Sequence, residues 1–229
     1  MNQIYLTDGL VLLSGHSKIG KTSFSLKLGN YLANKENVLF LNFVDYEERL
    51  RVLVEGMDTK VNEKFDIDSS LDEFCIETYI ELLSLLENNK YSTIIIDDLN
   101  RLIPQNGYMV GDFDYNFTIN TVINSLLYII RQFKCRIILI YALDDIQIKC
   151  QALAKEYVRL NDFIFPRTLV NNCNQIFYLD YPYSRGYIED EEGEDLINHI
   201  ELYSLKNEKH REEFFILDNS KLNIYKRCE

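Results

Sequence analysis

Between Leu10 and Asp180, short continuous apolar runs alternate with longer stretches whose apolar residues recur every three or four positions. The runs Leu10–Ser14, Val38–Phe43, Thr93–Asp97, Arg136–Tyr141 and Gln175–Asp180 predict strands. The intervening stretches predict helices from Lys21 to about Asn34, near Glu47–Val54, across Ser70–Glu87, across about Asn116–Phe133 and over Asp144–Tyr157. Such alternation implies parallel strands joined by right-handed crossovers, with helices covering both faces. After Tyr181 the pattern changes: His199–Leu205, Glu213–Leu217 and Leu222–Lys226 are short and separated by polar turns, which predicts an antiparallel extension at one sheet edge. The expected class is α/β, a mostly parallel twisted sheet flanked by helices with antiparallel C-terminal strands. No internal repeat interrupts it, and no linker divides residues 1–229, so one domain is expected.

The first predicted strand runs into Gly15-His16-Ser17-Lys18-Ile19-Gly20-Lys21-Thr22, the pattern G-x-x-x-x-G-K-[ST] of a phosphate-binding P-loop, followed by Ser23 and a helical stretch. Gly15 and Gly20 let the backbone curl so that N–H groups face phosphate oxygens, and the following helix N-terminus adds partial positive charge. Lys21 is expected to reach the β- and γ-phosphates of a nucleotide, and Thr22 to offer its hydroxyl to Mg²⁺. Phe24, Leu26, Leu28, Tyr31 and Leu32 form the set expected to pack that helix on the sheet.

A second nucleotide signal is Thr93-Ile94-Ile95-Ile96-Asp97-Asp98. An acid closing a buried parallel strand stands where open α/β sheets bind ligands. Asp97 is therefore the Walker B candidate, expected to hold Mg²⁺ through water opposite Thr22. Asp98 directly behind it has two readings, a water-activating base or a strand-end carboxylate capping the next turn.

Composition narrows the partners. The net charge of −12 argues against a broad, sequence-independent grip on nucleic acid. Six carboxylates crowd into Glu189-Asp190-Glu191-Glu192-Gly193-Glu194-Asp195, read as a solvated loop. The five cysteines are scattered without a C-x-x-C pair, so they are read as reduced thiols rather than a zinc site. Met1-Asn2-Gln3 lacks the order of a signal peptide, and no apolar stretch is long enough to span a membrane; a cytoplasmic protein is expected.

In their order, these motifs resemble the ATPase domain of DnaB-type replicative helicases, within the wider RecA-like group, over nearly the whole chain. Lys21-Thr22-Ser23-Phe24-Ser25-Leu26-Lys27-Leu28 is similar to that family's G-K-T-x-F-A-L-x-L, and Ile96-Asp97-Asp98-Leu99-Asn100-Arg101-Leu102 to its I-D-Y-L-Q-L. Leu160-Asn161-Asp162-Phe163, followed by Leu169 to Ile176, is similar to L-S-D-L and then I-E-Q-D-A-D with a strand. The resemblance implies ATP and Mg²⁺ as ligands, a homo-oligomer, and single-stranded DNA or a protein as partner. Because Leu10 already begins the ATPase core, the separate N-terminal helical domain of full replicative helicases is expected to be missing.

The departures bear on chemistry. Aligning Glu48-Arg49-Leu50 with the family's E-Q-L puts Val44 where its water-activating glutamate stands, at the end of a strand expected to lie beside the P-loop strand; a one-residue shift offers Asp45 instead. Glu47 and Glu48 suit the first turn of a helix. The family's γ-phosphate-sensing glutamine appears as Ala142, and its late K-x-R as Lys206-Asn207-Glu208. A placed base contributes about 10²–10⁴-fold and a cationic finger from a neighbour about 10³–10⁵-fold, so losing both leaves a very slow ATPase. Lys21, Asp98 and Asp45 are thus the catalytic candidates.

In the family, loops after the third and fourth strands line a DNA channel. Their equivalents here, about Pro104–Phe117 and Ile146–Pro166, offer Tyr108, Phe113, Tyr115 and Phe117, then Lys149, Lys155, Arg159 and, just beyond, Arg167. Tyr178, Tyr181, Tyr183 and Tyr187 have strand spacing and are read as packing. Two function classes follow: a ring- or filament-forming DNA-processing ATPase, and an ATP-binding switch or assembly subunit with slow turnover.

Overall fold

The computed structural model describes residues 6–43, 45, 47–55, 61–69, 86–87, 91–102, 115–144, 147–148, 158–185, 197, 199–207, 213–218 and 223–228. The strands are β1 (Leu10–His16), β2 (Val38–Asn42), β3 (Phe65–Asp68), β4 (Thr93–Asp97), β5 (Arg136–Leu143), β6 (Gln175–Asp180), β7 (His199–Lys206), β8 (Glu213–Asp218) and β9 (Asn223–Cys228). The helices are α1 (Lys21–Leu32), α2 (Glu47–Glu55), α3 (Leu99–Leu102), α4 (Tyr115–Phe133) and α5 (Arg167–Asn172).

The nine strands among the described residues join one sheet in the order β3-β2-β4-β5-β1-β6-β7-β8-β9. β1 to β6 run parallel and β7, β8 and β9 extend the β6 edge antiparallel, as the sequence pattern predicts. Strand β3 escapes the pattern because its four residues alternate, Phe65 and Ile67 inward and Asp66 outward, instead of forming an apolar run. The order also corrects the placement of the second strand: β4 and β5 stand between β2 and the P-loop strand β1.

Strand alternation divides the core between two faces. Leu10 and Leu12 face a layer with Ile119, Val122, Ile123, Leu126 and Ile129 of α4. Val11 and Leu13 face another with Phe24, Leu26 and Leu28 of α1 and Leu50 and Val54 of α2. Tyr31, expected in the packed set, is instead 40% exposed near the end of α1. Of the helix expected over Ser70–Glu87, only Leu86 and Glu87 are described, and they are helical. The helix expected from Asp144 does not begin there: Gln147 lies in a turn and Ile148 forms an antiparallel bridge to Phe163.

At the N-terminal ends of the parallel strands, Arg136 gathers several elements. Its guanidinium donates to Glu36 and Thr93 at 3.1 Å each and to the carbonyls of Thr7 at 2.9 Å and Leu6 at 3.3 Å. Among the described residues no helix is long and apolar enough to cross a membrane.

Candidate functional site

The P-loop forms at the opposite, C-terminal end of the sheet. Gly15 pairs with Ala142 on one side and Leu179 on the other. A Cβ on Gly15 would lie 2.7 Å from the Leu179 carbonyl oxygen, so the backbone approach excludes any side chain there. The loop folds back through Ile19 N–H to the His16 carbonyl and Ser17 N–H to the Leu143 carbonyl, both 3.3 Å. Lys18 and Gly20 take left-handed backbone conformations, with φ of 66° and 96°. Gly20 caps α1 without a side-chain hydrogen bond, and no acid stands in the first turn, which leaves the positive end of the helix to an external anion.

Lys21 points back over this turn, donating from Nζ to the carbonyls of His16 at 2.7 Å and Gly15 at 3.1 Å. Burial pulls its pKa down to about 8, against the opposing attraction of Asp97 and Asp98. Its neighbour Thr22 donates from Oγ1 to Asp97 Oδ2 at 2.6 Å, and Asn42 Nδ2 donates to the same oxygen at 3.1 Å. Asp97 is 6% exposed, and burial pushes its pKa up to about 6; the Thr22 hydrogen bond and Lys21 oppose the rise, whereas Asp98 and Asp45 add to it. A buried ammonium and a buried carboxylate, each discouraged from its charge, converge at one strand edge. Perturbed pairs of this kind cluster at functional sites.

The other predicted residues occupy graded positions. Asp98 follows Asp97 through a cis peptide and is half-buried. Ser23 lies half-buried on α1, Ser17 and Lys18 are exposed, Ile19 is buried, and His16 Nδ1 lies 2.9 Å from the Ser17 carbonyl oxygen. Asp45 donates its backbone N–H to Asn42 Oδ1 at 2.6 Å, while its carboxylate accepts from Arg49 Nη1 at 2.6 Å. Glu47 and Glu48 open α2, as their charge predicts. Val44 lies outside the described residues.

Ala142 stands at the C-terminal end of β5, level with Gly15. Lys206 donates from Nζ to the carbonyls of Val170 and Cys173, 2.6 Å each, at the C-terminal end of α5. Arg159 and Arg167 are exposed, whereas Lys149, Lys155, Tyr108, Phe113, Tyr187, Glu208 and the acidic run at 189–195 lie outside the described residues. Tyr178 is buried against Phe163 and Tyr203, with ring centroids at 4.4 and 6.2 Å, so it serves packing as expected. The residue that sequence reasoning passed over is Asn42. Its signal was a polar side chain closing an otherwise apolar strand whose register partner is Asp97.

No protein-family model matches the chain, and no curated protein matches it in sequence. Solved structures do match. A DnaB-like replicative helicase, described with its interactions with primase, superposes with a TM-score of 0.66 at 14% identity over 91% of this chain and 54% of that one. The chain thus spans about half the length of that helicase. A second solved structure, an ATPase domain, superposes with a TM-score of 0.67 at 14% identity over 96% of this chain and 85% of that domain. At that identity the likeness is one of architecture: this chain is built on the RecA-like fold of DnaB-like helicase ATPase domains.

Proposed function

We propose that this protein binds ATP with Mg²⁺ as a RecA/DnaB-like ATPase, assembles with copies of itself, and acts on DNA in replication, recombination or a mobile element. The observation that carries the reading is the convergence of Lys21 Nζ, Thr22 Oγ1 and the Asp97 carboxylate at the C-terminal edge of β1 and β4. The donor set fits the group. A hydroxyl and a carboxylate are hard oxygen ligands of the kind Mg²⁺ takes, and a dication relieves the cost of a buried Asp97 anion. A polyphosphate relieves the complementary cost of charged Lys21.

In this reading the backbone of residues 15–20 and the start of α1 cradle phosphate oxygens, Lys21 exchanges its two carbonyl acceptors for phosphate, and Thr22 and Asp97 hold the metal. Bound Mg²⁺ neutralises charge on the phosphates. Asp98 accepts the proton of an attacking water; Asp45 is the second candidate, already engaged by Arg49.

Two observations favour a second reading, a hydrolysis-impaired ATP-binding switch that works through protein partners. Ala142 brings no polar group to the end of β5, and Lys206 is committed to carbonyls of its own chain. ATPase rate with and without single-stranded DNA, measured beside particle size with and without ATP, tests both. DNA-stimulated turnover supports the motor, and ATP-dependent assembly with turnover far below about 1 s⁻¹ supports the switch. Turnover that survives Lys21→Ala overturns the site itself.

A further inference from the structure

We propose that Asn42 is a positioning residue that couples the turn carrying Asp45 to the metal-shell acid Asp97, a role that rests on the ATP·Mg²⁺ reading of the site. The side chain is 2% exposed at the last position of β2, and in the β2–β4 ladder its residue is paired with Asp97. Both ends of its amide are engaged toward function-bearing residues. Nδ2 donates to Asp97 Oδ2 at 3.1 Å, the oxygen that also accepts from Thr22 at 2.6 Å. Oδ1 accepts the Asp45 backbone N–H at 2.6 Å, three residues on, which ties down the turn directly after the strand. Phe43 N–H donates to the Asp97 carbonyl at 3.2 Å, so the backbone beside Asn42 holds the same strand end.

The amide is suited to this task by having a donor and an acceptor on one planar group. An aspartate there keeps the acceptor for the Asp45 N–H but sets a carboxylate against Asp97. An alanine removes both contacts. The donated bond fixes which oxygen of Asp97 faces Thr22 and which remains for a metal-bound water, the orienting work that outer-shell groups perform at metal sites. The accepted bond sets where Asp45 emerges from the strand. Two strands, β4 and β5, separate β2 from β1 in the sheet order, so an acid following β2 reaches the nucleotide only through the course of this turn.

The test compares parent, Asn42→Asp and Asn42→Ala by titration with ADP and ATP, once with Mg²⁺ and once with EDTA, alongside thermal melts. The expected result is a Mg²⁺-specific defect: half-saturation by Mg²⁺ rises about tenfold or more in both variants, whereas affinity for metal-free nucleotide stays within about twofold of the parent. Asn42→Asp keeps the acceptor for the Asp45 N–H but sets a second carboxylate beside buried Asp97, and Asn42→Ala loses both contacts, so both variants are expected to melt below the parent. Equal losses with Mg²⁺ and with EDTA, or Mg²⁺ dependence unchanged in both variants, overturn the proposal. Should Asn42→Ala fail to fold, the Asn42→Asp titration alone decides it. A parent that binds no nucleotide under either condition overturns the ATP reading instead, and Lys21→Ala measured in parallel marks that outcome.

Discussion

Thr22 Oγ1 donates to Asp97 Oδ2 at 2.6 Å although 75 residues separate them in sequence. The strand that leads into Thr22's helix is no neighbour of Asp97's strand either, since β5 lies between β1 and β4. The pair meets because α1, on which Thr22 lies, begins immediately past the left-handed Gly20 and packs against β4. A loop that started the helix one residue later would leave the hydroxyl facing elsewhere.

Lys21→Ala is expected to weaken ATP·Mg²⁺ binding at least tenfold, about 1.4 kcal/mol. Lys21 is the P-loop cation turned over the loop carbonyls, while Lys18 is exposed. Calorimetry reads the effect, and unchanged affinity removes the P-loop assignment.

Asp97 and Asp98 are adjacent but differently placed, which separates their variants. Asp97→Asn is expected to reduce Mg²⁺-dependent nucleotide binding, because Asp97 is the acid joined to Thr22. Asp98→Asn is expected to preserve binding and lower turnover by about 10²-fold or more. If Asp98→Asn turns over at the parent rate, the base is elsewhere and Asp45 becomes the residue to replace.

The two buried charges predict opposite responses to pH. The folded pKa of Asp97, about 6, lies above its ordinary 3.8, so its stabilising contribution is complete below the ordinary value and lost as pH rises through about 6. Lys21 falls from 10.5 to about 8, so its contribution is complete above the ordinary value and lost as pH falls through about 8. Near pH 7 the nucleotide-free fold therefore carries both charges at a cost. Asp97→Asn is expected to raise the melting temperature at pH 7 by roughly 2–4 °C, with the gain vanishing near pH 4. ATP·Mg²⁺ affinity of the parent is expected to decline below about pH 6 as Asp97 takes a proton. A melting difference that is independent of pH contradicts the assignment.

Lys206→Met removes two charge-assisted hydrogen bonds from the last carbonyls of α5. A loss of about 1–2 kcal/mol is expected, with ATP affinity unchanged. Reduced nucleotide affinity without a change in melting would give Lys206 a nucleotide role instead of a capping one.

The elements with the strongest local signal were legible in the sequence. Leu10-Val11-Leu12-Leu13 and Ile94-Ile95-Ile96 are continuous apolar runs because parallel strands are covered on both faces, and the antiparallel strands from His199 onward announce themselves by spacing. The Gly15–Thr22 segment stood out as a motif because phosphate cradling demands particular residues at particular positions. What remained hidden depends on pairing between distant segments. Strand β3 is four residues of alternating character, and its pairing with β2 is not marked in the sequence. The separation of β2 from β1 is a property of strand order, on which local periodicity carries no information. Asn42 shows in the sequence only as a polar residue closing an apolar strand; its meaning comes from standing opposite Asp97.

The Arg136 cluster has a consequence for motion. At that end of the sheet the Arg136 guanidinium bonds a carboxylate, a hydroxyl and two carbonyls, joining the strands β1, β2, β4 and β5 through residues at or just before their starts. At the other end, Lys21 and Asp97 bear desolvation without full compensation. Hydrogen bonds thus gather at the base of the sheet, while at the rim a bound nucleotide and metal would relieve the desolvation of Lys21 and Asp97. Amide exchange in the nucleotide-free protein is expected to be slowest around Thr93 and Ile137 and fastest around Gly15–Gly20, and ATP·Mg²⁺ to slow the rim while leaving the base unchanged.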